Sequence, residues 1–225
     1  PEGKVMIKWS PNFAYAIGLL TSDGCLSGNG RHIVFVSKDK EQIENFLHAL
    51  QIDVFIGESN KKTPKTKVYR VQFGDVLFYE FLNSIGITKA KSLTIGEIDV
   101  PKKYFADFVR GHFDGDGCSY SYFDPRWKSS FMFYMSFASA SKPFVLWLQN
   151  NLFEHIGIKG HITRQSKSQH CLQLKYAKDE AKKLVDFIYY KKDVLCLSRK
   201  RLKIKQSLYT IGHTRDGRFK KKPIT

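Results

Sequence analysis

The chain has 225 residues, 42% of them apolar, and a formal net charge of 37 − 21 = +16. No stretch approaches the roughly 18 consecutive apolar residues of a membrane span, and the N-terminus lacks the pattern of a signal peptide. We therefore expect an intracellular protein without a membrane partner, in an organelle such as a mitochondrion or chloroplast or in a prokaryotic cytoplasm. The charge favours a polyanion, most often nucleic acid; the alternative is a merely basic or ribosome-associated protein. The four cysteines form no CxxC pair, which argues against a zinc site or a disulfide framework and predicts reduced, mostly buried thiols.

The chain repeats itself at an interval of about 100 residues. The segment "AIGLLTSDGC" (16–25) aligns with "VRGHFDGDGC" (109–118), so that Gly18 falls on Gly111 and Asp23 falls on Asp116 at an offset of 93. Further on, "FVSKDK" (35–40) aligns with "FASASK" (137–142) at an offset of 102, which places nine extra residues within "SYSYFDPRWKSSF". The segment "VQF" (71–73) then aligns with "LQL" (172–174) at an offset of 101. We predict a duplicated domain with an N-terminal half (1–90), a linker (91–103) and a C-terminal half (104–225).

Each half predicts the same order of elements: helix, two strands, helix, two strands, helix. The first helix of each half is apolar and ends at Asp-Gly, since glycine suits the position after a helix. In the first half, "GNG" (28–30) predicts a hairpin turn, followed by a helix at 39–50, strands near 54–58 and 67–73, and a helix at 75–84. In the second half, alternation over 128–138 predicts a strand, followed by a helix at 142–154, strands near 159–164 and 170–175, and a helix at 178–190. Pro101 suits the turn into the second half.

The predicted fold class is α+β, with two pseudo-symmetric αββαββα halves. Their antiparallel sheets need a helix layer on one face only. On the open face we expect residues whose side chains read base edges or hold phosphates. They are His32, Val34, Arg70 and Gln72 in the first half, and Lys128, Ser130, Tyr134, Gln173 and Lys175 in the second. The open faces are thus predicted to bind nucleic acid, the alternative being a solvated sheet face.

The repeated glycine and the repeated aspartate predict a metal site. A glycine inside a helix costs about 1 kcal/mol relative to alanine, and its use is close approach of two backbones. If Gly18 and Gly111 face each other, the two helices pack about a pseudo-twofold axis and bring Asp23 and Asp116 together. The carboxylates then repel each other and face the negative ends of both helix dipoles, so we expect a divalent cation such as Mg²⁺ between them and a substrate phosphate.

The aspartates have two other possible interpretations. An isolated Asp-Gly pair is usually a turn, but the repeat makes chance less plausible. A calcium loop of the EF-hand type would need an oxygen ligand at position 118 and an acidic residue at position 125. These positions hold Cys118 and Pro125, so that interpretation fails.

The two motif segments, together with "GITKAKSLTIGEIDVPKKYFADFVRGHFDGDGC" (86–118), resemble the LAGLIDADG homing endonucleases in their single-chain, two-motif form. The resemblance covers nearly the whole chain. It implies that the sheets form a DNA-binding saddle with the motif helices packed at the interface of the halves. It also implies that Asp23 and Asp116 are catalytic metal ligands and that Gly18 and Gly111 form the helix interface.

Other roles carried over from the resemblance are less sharply patterned. Lys91 and Lys200 match the basic residues that order water around the metals, and Asp39 and Ser141 match peripheral positions. The resemblance does not settle whether the backbone at position 22, next to Asp23, is also a metal ligand. Two departures stand out: Thr21 replaces an earlier motif aspartate that the second motif keeps as Asp114, and Arg110 replaces a small residue, which predicts a looser helix interface.

The implied function is site-specific hydrolysis of double-stranded DNA, as in intron homing. We expect a monomer that cuts one phosphodiester in each strand of a long asymmetric target and leaves short 3′ overhangs. The expected cofactor is Mg²⁺ or another divalent cation such as Mn²⁺, with Ca²⁺ supporting binding without cleavage. The alternatives are an RNA maturase that assists intron splicing and a catalytically inactive DNA-binding regulator.

Overall fold

A computed structural model describes residues 3–60, 67–127, 130–164 and 171–213. The first half contains α1 (Pro11–Asp23), β1 (Gly24–Leu26), β2 (His32–Ser37), α2 (Lys40–Leu50), β3 (Gly57–Asn60), β4 (Lys67–Gly74) and α3 (Val76–Ser84). The second contains a 3₁₀ turn (Lys102–Tyr104), α4 (Phe105–Asp116), β5 (Gly117–Phe123), β6 (Phe131–Ser139), α5 (Lys142–Ile156), β7 (His161–Arg164), β8 (Leu172–Ala177), α6 (Lys178–Ile188) and α7 (Ser198–His213). The predicted α+β class and the order of elements in each half are confirmed. Helix α7 was not predicted, and β3 and β7 begin two or three residues later than expected.

Each half builds one four-stranded antiparallel sheet. The strand orders are β1-β2-β4-β3 and β5-β6-β8-β7. Phe35 pairs with Val71 in the first sheet, and its counterpart Phe137 pairs with Leu174 in the second. The offset between β4 and β8 is therefore 174 − 71 = 103, and the predicted offset of 101 was wrong. Because side chains alternate with a period of two, this two-residue correction leaves every predicted face unchanged.

Helices α1 and α4 lie at the centre of the molecule. Helix α1 begins at the cap Ser10, whose hydroxyl accepts the Phe13 N–H at 3.1 Å, with Pro11 in the first turn. Every residue from Phe13 to Thr21 is buried. A helix that is apolar all round packs on all sides, which fixes α1 inside the core against α4. The two helices end at Asp23 and Asp116, where β1 and β5 begin.

The nine extra residues of the second half lengthen its first hairpin. Strands β5 and β6 have 7 and 9 residues, whereas β1 and β2 have 3 and 6. The turn of the long hairpin includes residues 124–127 and 130, and residues 128 and 129 lie outside the described part. Within the described residues, no helix combines the length and the apolar composition that crossing a bilayer requires.

Candidate active site and nucleic-acid interface

Helices α1 and α4 touch through their backbones at two glycines. A Cβ added at Gly18 would overlap the carbonyl oxygen of Phe108, and a Cβ added at Gly111 would overlap that of Tyr15. Glycine is needed here for space rather than for an unusual backbone conformation. A third glycine, Gly115, was not predicted to lie at the helix interface, because it has no glycine counterpart in the first motif. Its Cβ would overlap the Ser22 hydroxyl, so the last turns of the two helices also lie against each other.

Asp23 and Asp116 end these helices and interact electrostatically. Burial and, second to it, the charge of Asp116 raise the pKa of Asp23 from 3.8 to about 6. The pKa of Asp116 is also raised, mainly by burial. Asp23 accepts a hydrogen bond from Gln42 Nε2 at 3.4 Å, and Gln42 Oε1 in turn accepts from Ser37 Oγ at 2.6 Å. The structure therefore brings the two predicted acids together, with an oriented carboxylate on the first-half side.

Lys91 and Lys200 lie at the ends of the two motif helices and donate to backbone carbonyls. Lys91 Nζ donates to Ser22 at 3.3 Å and to Gly24. Lys200 donates in the same way at the end of α4. Its acceptors are the carbonyls of Phe113 at 2.7 Å, Gly115 at 3.0 Å and Gly117 at 2.7 Å. The last carbonyls of a helix lack intrahelical partners and carry partial negative charge. Each lysine therefore caps a motif helix beside its carboxylate, and burial lowers the pKa of both ammonium groups.

The two peripheral candidates have partners of their own. Asp39 accepts two hydrogen bonds from Arg199, at 2.9 and 2.6 Å, and this pairing lowers its pKa. Ser141 caps α5 and donates to the carbonyl of Ile95. Arg199 follows the third helix of the second half, whereas Asp39 belongs to the first half. Ser141 belongs to the second half, and Ile95 lies in the linker that follows the third helix of the first half. Both residues thus fasten the halves together at the rim of the site.

Arg110 does not loosen the helix interface, contrary to expectation. Its side chain is fully buried. The guanidinium donates to the Leu195 carbonyl at 2.8 Å, to the Ile188 carbonyl at 3.0 Å and to Asp107 Oδ1 at 2.7 Å. The side chain thus binds the segment after α6, while the neighbouring Gly111 keeps the backbones in contact.

The retained motif acid, Asp114, points into the protein. It accepts from the Tyr15 hydroxyl at 2.8 Å and from the Leu197 N–H at 2.6 Å, and burial raises its pKa to about 6. It anchors the start of the segment that carries Lys200. The other motif has Thr21 at this position, whose hydroxyl donates to the Ile17 carbonyl of its own helix.

His112 is a buried polar residue that sequence reasoning missed. It occupies the position of Leu19 in the first motif. Neither ring nitrogen has a hydrogen-bond partner within the described residues, and burial lowers the pKa to about 3, so the ring is neutral. The ring borders a cavity of about 100 Å³ that Asp116 and Lys91 also line. The sequence did carry a signal for this residue, because His112 replaces the apolar residue that the first motif has at the same position.

The structure brings most of the predicted nucleic-acid-binding residues onto the open sheet faces. In the first sheet, Val34 lies opposite Gln72, and His32 and Arg70 share their face. In the second, Lys175 lies opposite Ser136, with Gln173 and Tyr134 on the same face. Ser130 lies in the hairpin turn rather than in β6, because the strand begins at Phe131. Lys128 lies outside the described residues.

The cysteines differ from expectation in their burial. The cysteines are reduced as predicted, but Cys25 and Cys118 are exposed and the other two are half-buried, so the expected burial was wrong. Cys25 pairs with Val34 and Cys118 with Ser136, which puts both thiols on the open faces.

The open face of the second sheet also carries two tyrosines that the sequence analysis did not name. Tyr120 and Tyr122 join Tyr134 in a stack of rings, with centroids 5.0 and 6.1 Å from that of Tyr134.

Comparison with known proteins identifies the fold. No protein-family model matches the chain, and no curated protein matches its sequence. Among solved structures, the I-LtrWI LAGLIDADG homing endonuclease bound to target DNA is 10% identical, with a TM-score of 0.61 and 92% of each chain covered. The homing endonuclease I-WcaI bound to its DNA recognition sequence is 13% identical, with a TM-score of 0.61 and 88% of each chain covered.

Full-length DUF199/WhiA from Thermatoga maritima is 14% identical, with a TM-score of 0.55, over 92% of this chain and 68% of that one. At such low identities the likeness establishes the fold. The expected two-motif LAGLIDADG architecture is therefore confirmed.

Proposed function

We propose that this chain, which has the two-motif LAGLIDADG fold, is a site-specific double-stranded DNA endonuclease. The observation that carries the proposal is the pair of carboxylates, Asp23 and Asp116, at the adjoining ends of α1 and α4. Each end continues directly into the first strand of a sheet whose open face is polar or basic. A phosphate of a duplex lying on both sheets would approach the two acids, which suits hydrolysis of one phosphodiester in each strand.

The residues at the helix ends fit a divalent cation. The charge of Asp116 adds to the raised pKa of Asp23, so a cation between the two carboxylates would relieve a repulsion that the fold itself creates. Carboxylate oxygens suit Mg²⁺ or Mn²⁺, and we expect Ca²⁺ to support DNA binding without cleavage. Such an ion, when bound, stabilises charge on a phosphate and lowers the pKa of a coordinated water.

The remaining residues of the site would position these acids. Gln42 holds one oxygen of Asp23, which fixes how that carboxylate faces the helix end. Lys91 and Lys200 neutralise the negative helix ends, so that two like charges can be held at one place. Their buried positions, with pKa values lowered by burial, also put two N–H donors near any water bound there.

The sheets explain why the substrate would be an asymmetric duplex. The net charge of +16 favours a phosphate backbone. The two open faces carry different residues, with Arg70 and Gln72 in one half and Gln173 and Lys175 in the other, so they would read different half-sites. Since one chain supplies both motifs, we expect a monomer to be sufficient.

A catalytically inactive DNA-binding protein is the second candidate. It is favoured by the likeness to WhiA, because the fold is then not confined to homing endonucleases. The two acids argue against it for this chain, since a binding protein gains nothing from two buried carboxylates that repel each other.

The test is a cleavage selection on randomised duplex DNA in Mg²⁺, with Asp23→Asn and Asp116→Asn as variants. The matched control is Asp179→Asn, which changes an exposed carboxylate on α6. The proposal expects one asymmetric site, cut with staggered 3′ ends by the wild type and the control but by neither variant. Specific binding in Ca²⁺ without cutting in Mg²⁺ would favour the second candidate. Binding of RNA with no duplex preference would refute both and point to a maturase.

A further inference from the structure

The first hairpins of the two halves differ in length and in chemistry. Strand β5 has four more residues than β1, and β6 has three more than β2. At about 3.3 Å per residue, the second hairpin extends about 10–13 Å further along its sheet. Successive base pairs of B-DNA are about 3.4 Å apart, so the additional length corresponds to about three to four base pairs.

The extended hairpin carries a tyrosine cluster, defined here as Tyr120, Tyr122 and Tyr134. Tyr120 pairs directly with Tyr134 across the two strands. The rings of Tyr122 and Tyr134 are 6.1 Å apart at an angle of 10°, and those of Tyr120 and Tyr122 are 6.5 Å apart at 3°. The three rings are therefore nearly parallel, and they share the open face with Cys118 and Lys175.

Within the described residues of the first half, there is no such cluster. Continuing the register of β1 and β2 places Ser27 and His32 at the positions of Tyr120 and Tyr134. Tyr122 has no counterpart, because the first hairpin already turns at Gly28–Gly30. There, the Asn29 side chain accepts the N–H groups of Arg31 and His32, so the shorter hairpin ends in a polar turn.

The tyrosine cluster presents an uncharged aromatic surface. Burial and a hydrogen bond with Tyr122 raise the pKa of Tyr134 to about 12, and burial raises that of Tyr120, so these two hydroxyls stay protonated. Met132, opposite Tyr122 on the same face, continues the surface without charge. Among the groups that base pairs present in the major groove, the C5 methyl of thymine is the apolar one.

We propose that the tyrosine cluster is a specificity determinant that reads thymine methyl groups in an extended second half-site. This inference rests on the proposed DNA-binding function and adds two features to it. The second half-site is longer than the first by about three to four base pairs. Its outer segment is selected by contact with methyl groups rather than by charged side chains.

The test measures binding to the selected target in Ca²⁺, by fluorescence anisotropy, with thymines of one outer segment replaced by uracil, which lacks the methyl group. In the second half-site we expect binding to weaken about three- to fourfold for each contacted methyl that is removed. Two variants of Tyr122 provide the controls, because this side chain is 43% exposed and can be changed without disturbing the core. Tyr122→Phe keeps the aromatic ring and should keep the thymine-to-uracil ratio. Tyr122→Ser should bring the ratio at the contacted position close to one.

The outcomes separate this inference from the proposed function. Tight, specific binding with equal affinity for thymine and uracil duplexes would overturn the inference and leave the endonuclease proposal intact, as would a selected outer segment without a preference for thymine. No specific duplex binding would overturn the proposed function itself. Support requires both the uracil effect and its loss in Tyr122→Ser at one end of the target, which also identifies that end as the second half-site.

Discussion

Replacing Asp23 with Asn is expected to stabilise the fold at neutral pH while abolishing cleavage. In the folded protein, burial and then the charge of Asp116 raise the pKa of Asp23 from 3.8 to about 6. The folded state therefore holds this proton more tightly than the unfolded chain does. Below about pH 3.8, Asp23 is protonated in both states and does not lower the free energy of unfolding. As the pH rises, its ionisation lowers the free energy of unfolding, and this destabilisation reaches its full value above about pH 6. The difference between the two pKa values corresponds to about 3 kcal/mol.

Urea denaturation at pH 4.5 and at pH 7.5, without divalent ions, measures this cost. The free energy of unfolding of Asp23→Asn should exceed that of the wild type by about 2–3 kcal/mol at pH 7.5 and by less than about 1 kcal/mol at pH 4.5. Asp179→Asn should change it by less than about 0.5 kcal/mol at both values. Adding Mg²⁺ should then stabilise the wild type and not the variant, because an ion that binds only the folded state raises its stability. An equal difference at the two pH values, or a destabilised variant at pH 7.5, would refute the reasoning.

Three other substitutions test the packing around the site by the same denaturation assay. Gly111→Ala should cost at least about 2 kcal/mol, because its Cβ would overlap a backbone carbonyl of α1; the control Gly96→Ala, where a Cβ meets nothing within 4 Å, should be nearly neutral, and equal costs would contradict the predicted contact. Arg110→Leu should cost about 3–5 kcal/mol by leaving Asp107 buried without its cation, and adding Asp107→Leu should recover part of that loss. His112→Leu should raise the free energy of unfolding by about 1 kcal/mol, since it removes ring nitrogens that have no hydrogen-bond partner in the described part of the chain; a loss of stability would instead indicate hydrogen bonds formed within the cavity.

The sequence predicted the elements whose signal was duplicated. The repeated glycine and the repeated Asp-Gly located both motif helices and their mutual contact, because a costly residue at the same place twice needs a physical reason. The strand faces were also predictable despite a wrong offset. A misalignment of two residues between 71–73 and 172–174 preserves the alternation, whereas an error of one would have inverted every face.

Features without an internal copy were harder to predict. Helix α7 is rich in lysine and arginine, which hides the apolar spacing of Ile204, Leu208 and Ile211 at intervals of four and three. That spacing is the signal that should have indicated a helix packed on the core. The buried role of Arg110 was unpredictable for a different reason: its acceptors are the Leu195 and Ile188 carbonyls, and their position depends on how the chain turns after α6.

The site combines a symmetric backbone with asymmetric surroundings. The close helix approach, the terminal acids and the lysine caps occur in both halves, since all of them are needed to hold two carboxylates at one place. The second helices start at Asp39 and Ser141, so that Gln42 and Phe144 occupy equivalent positions in the two halves. Gln42 donates to Asp23, whereas Phe144 lines a cavity with Asp116 and His112. The two carboxylates therefore lie at equivalent helix ends but in different environments. Asp23 accepts a hydrogen bond from the Gln42 side-chain amide, whereas Asp116 borders a cavity. We infer that the two DNA strands would meet chemically unequal halves of a single site, so that any difference in their rates of cutting would originate in these surrounding side chains.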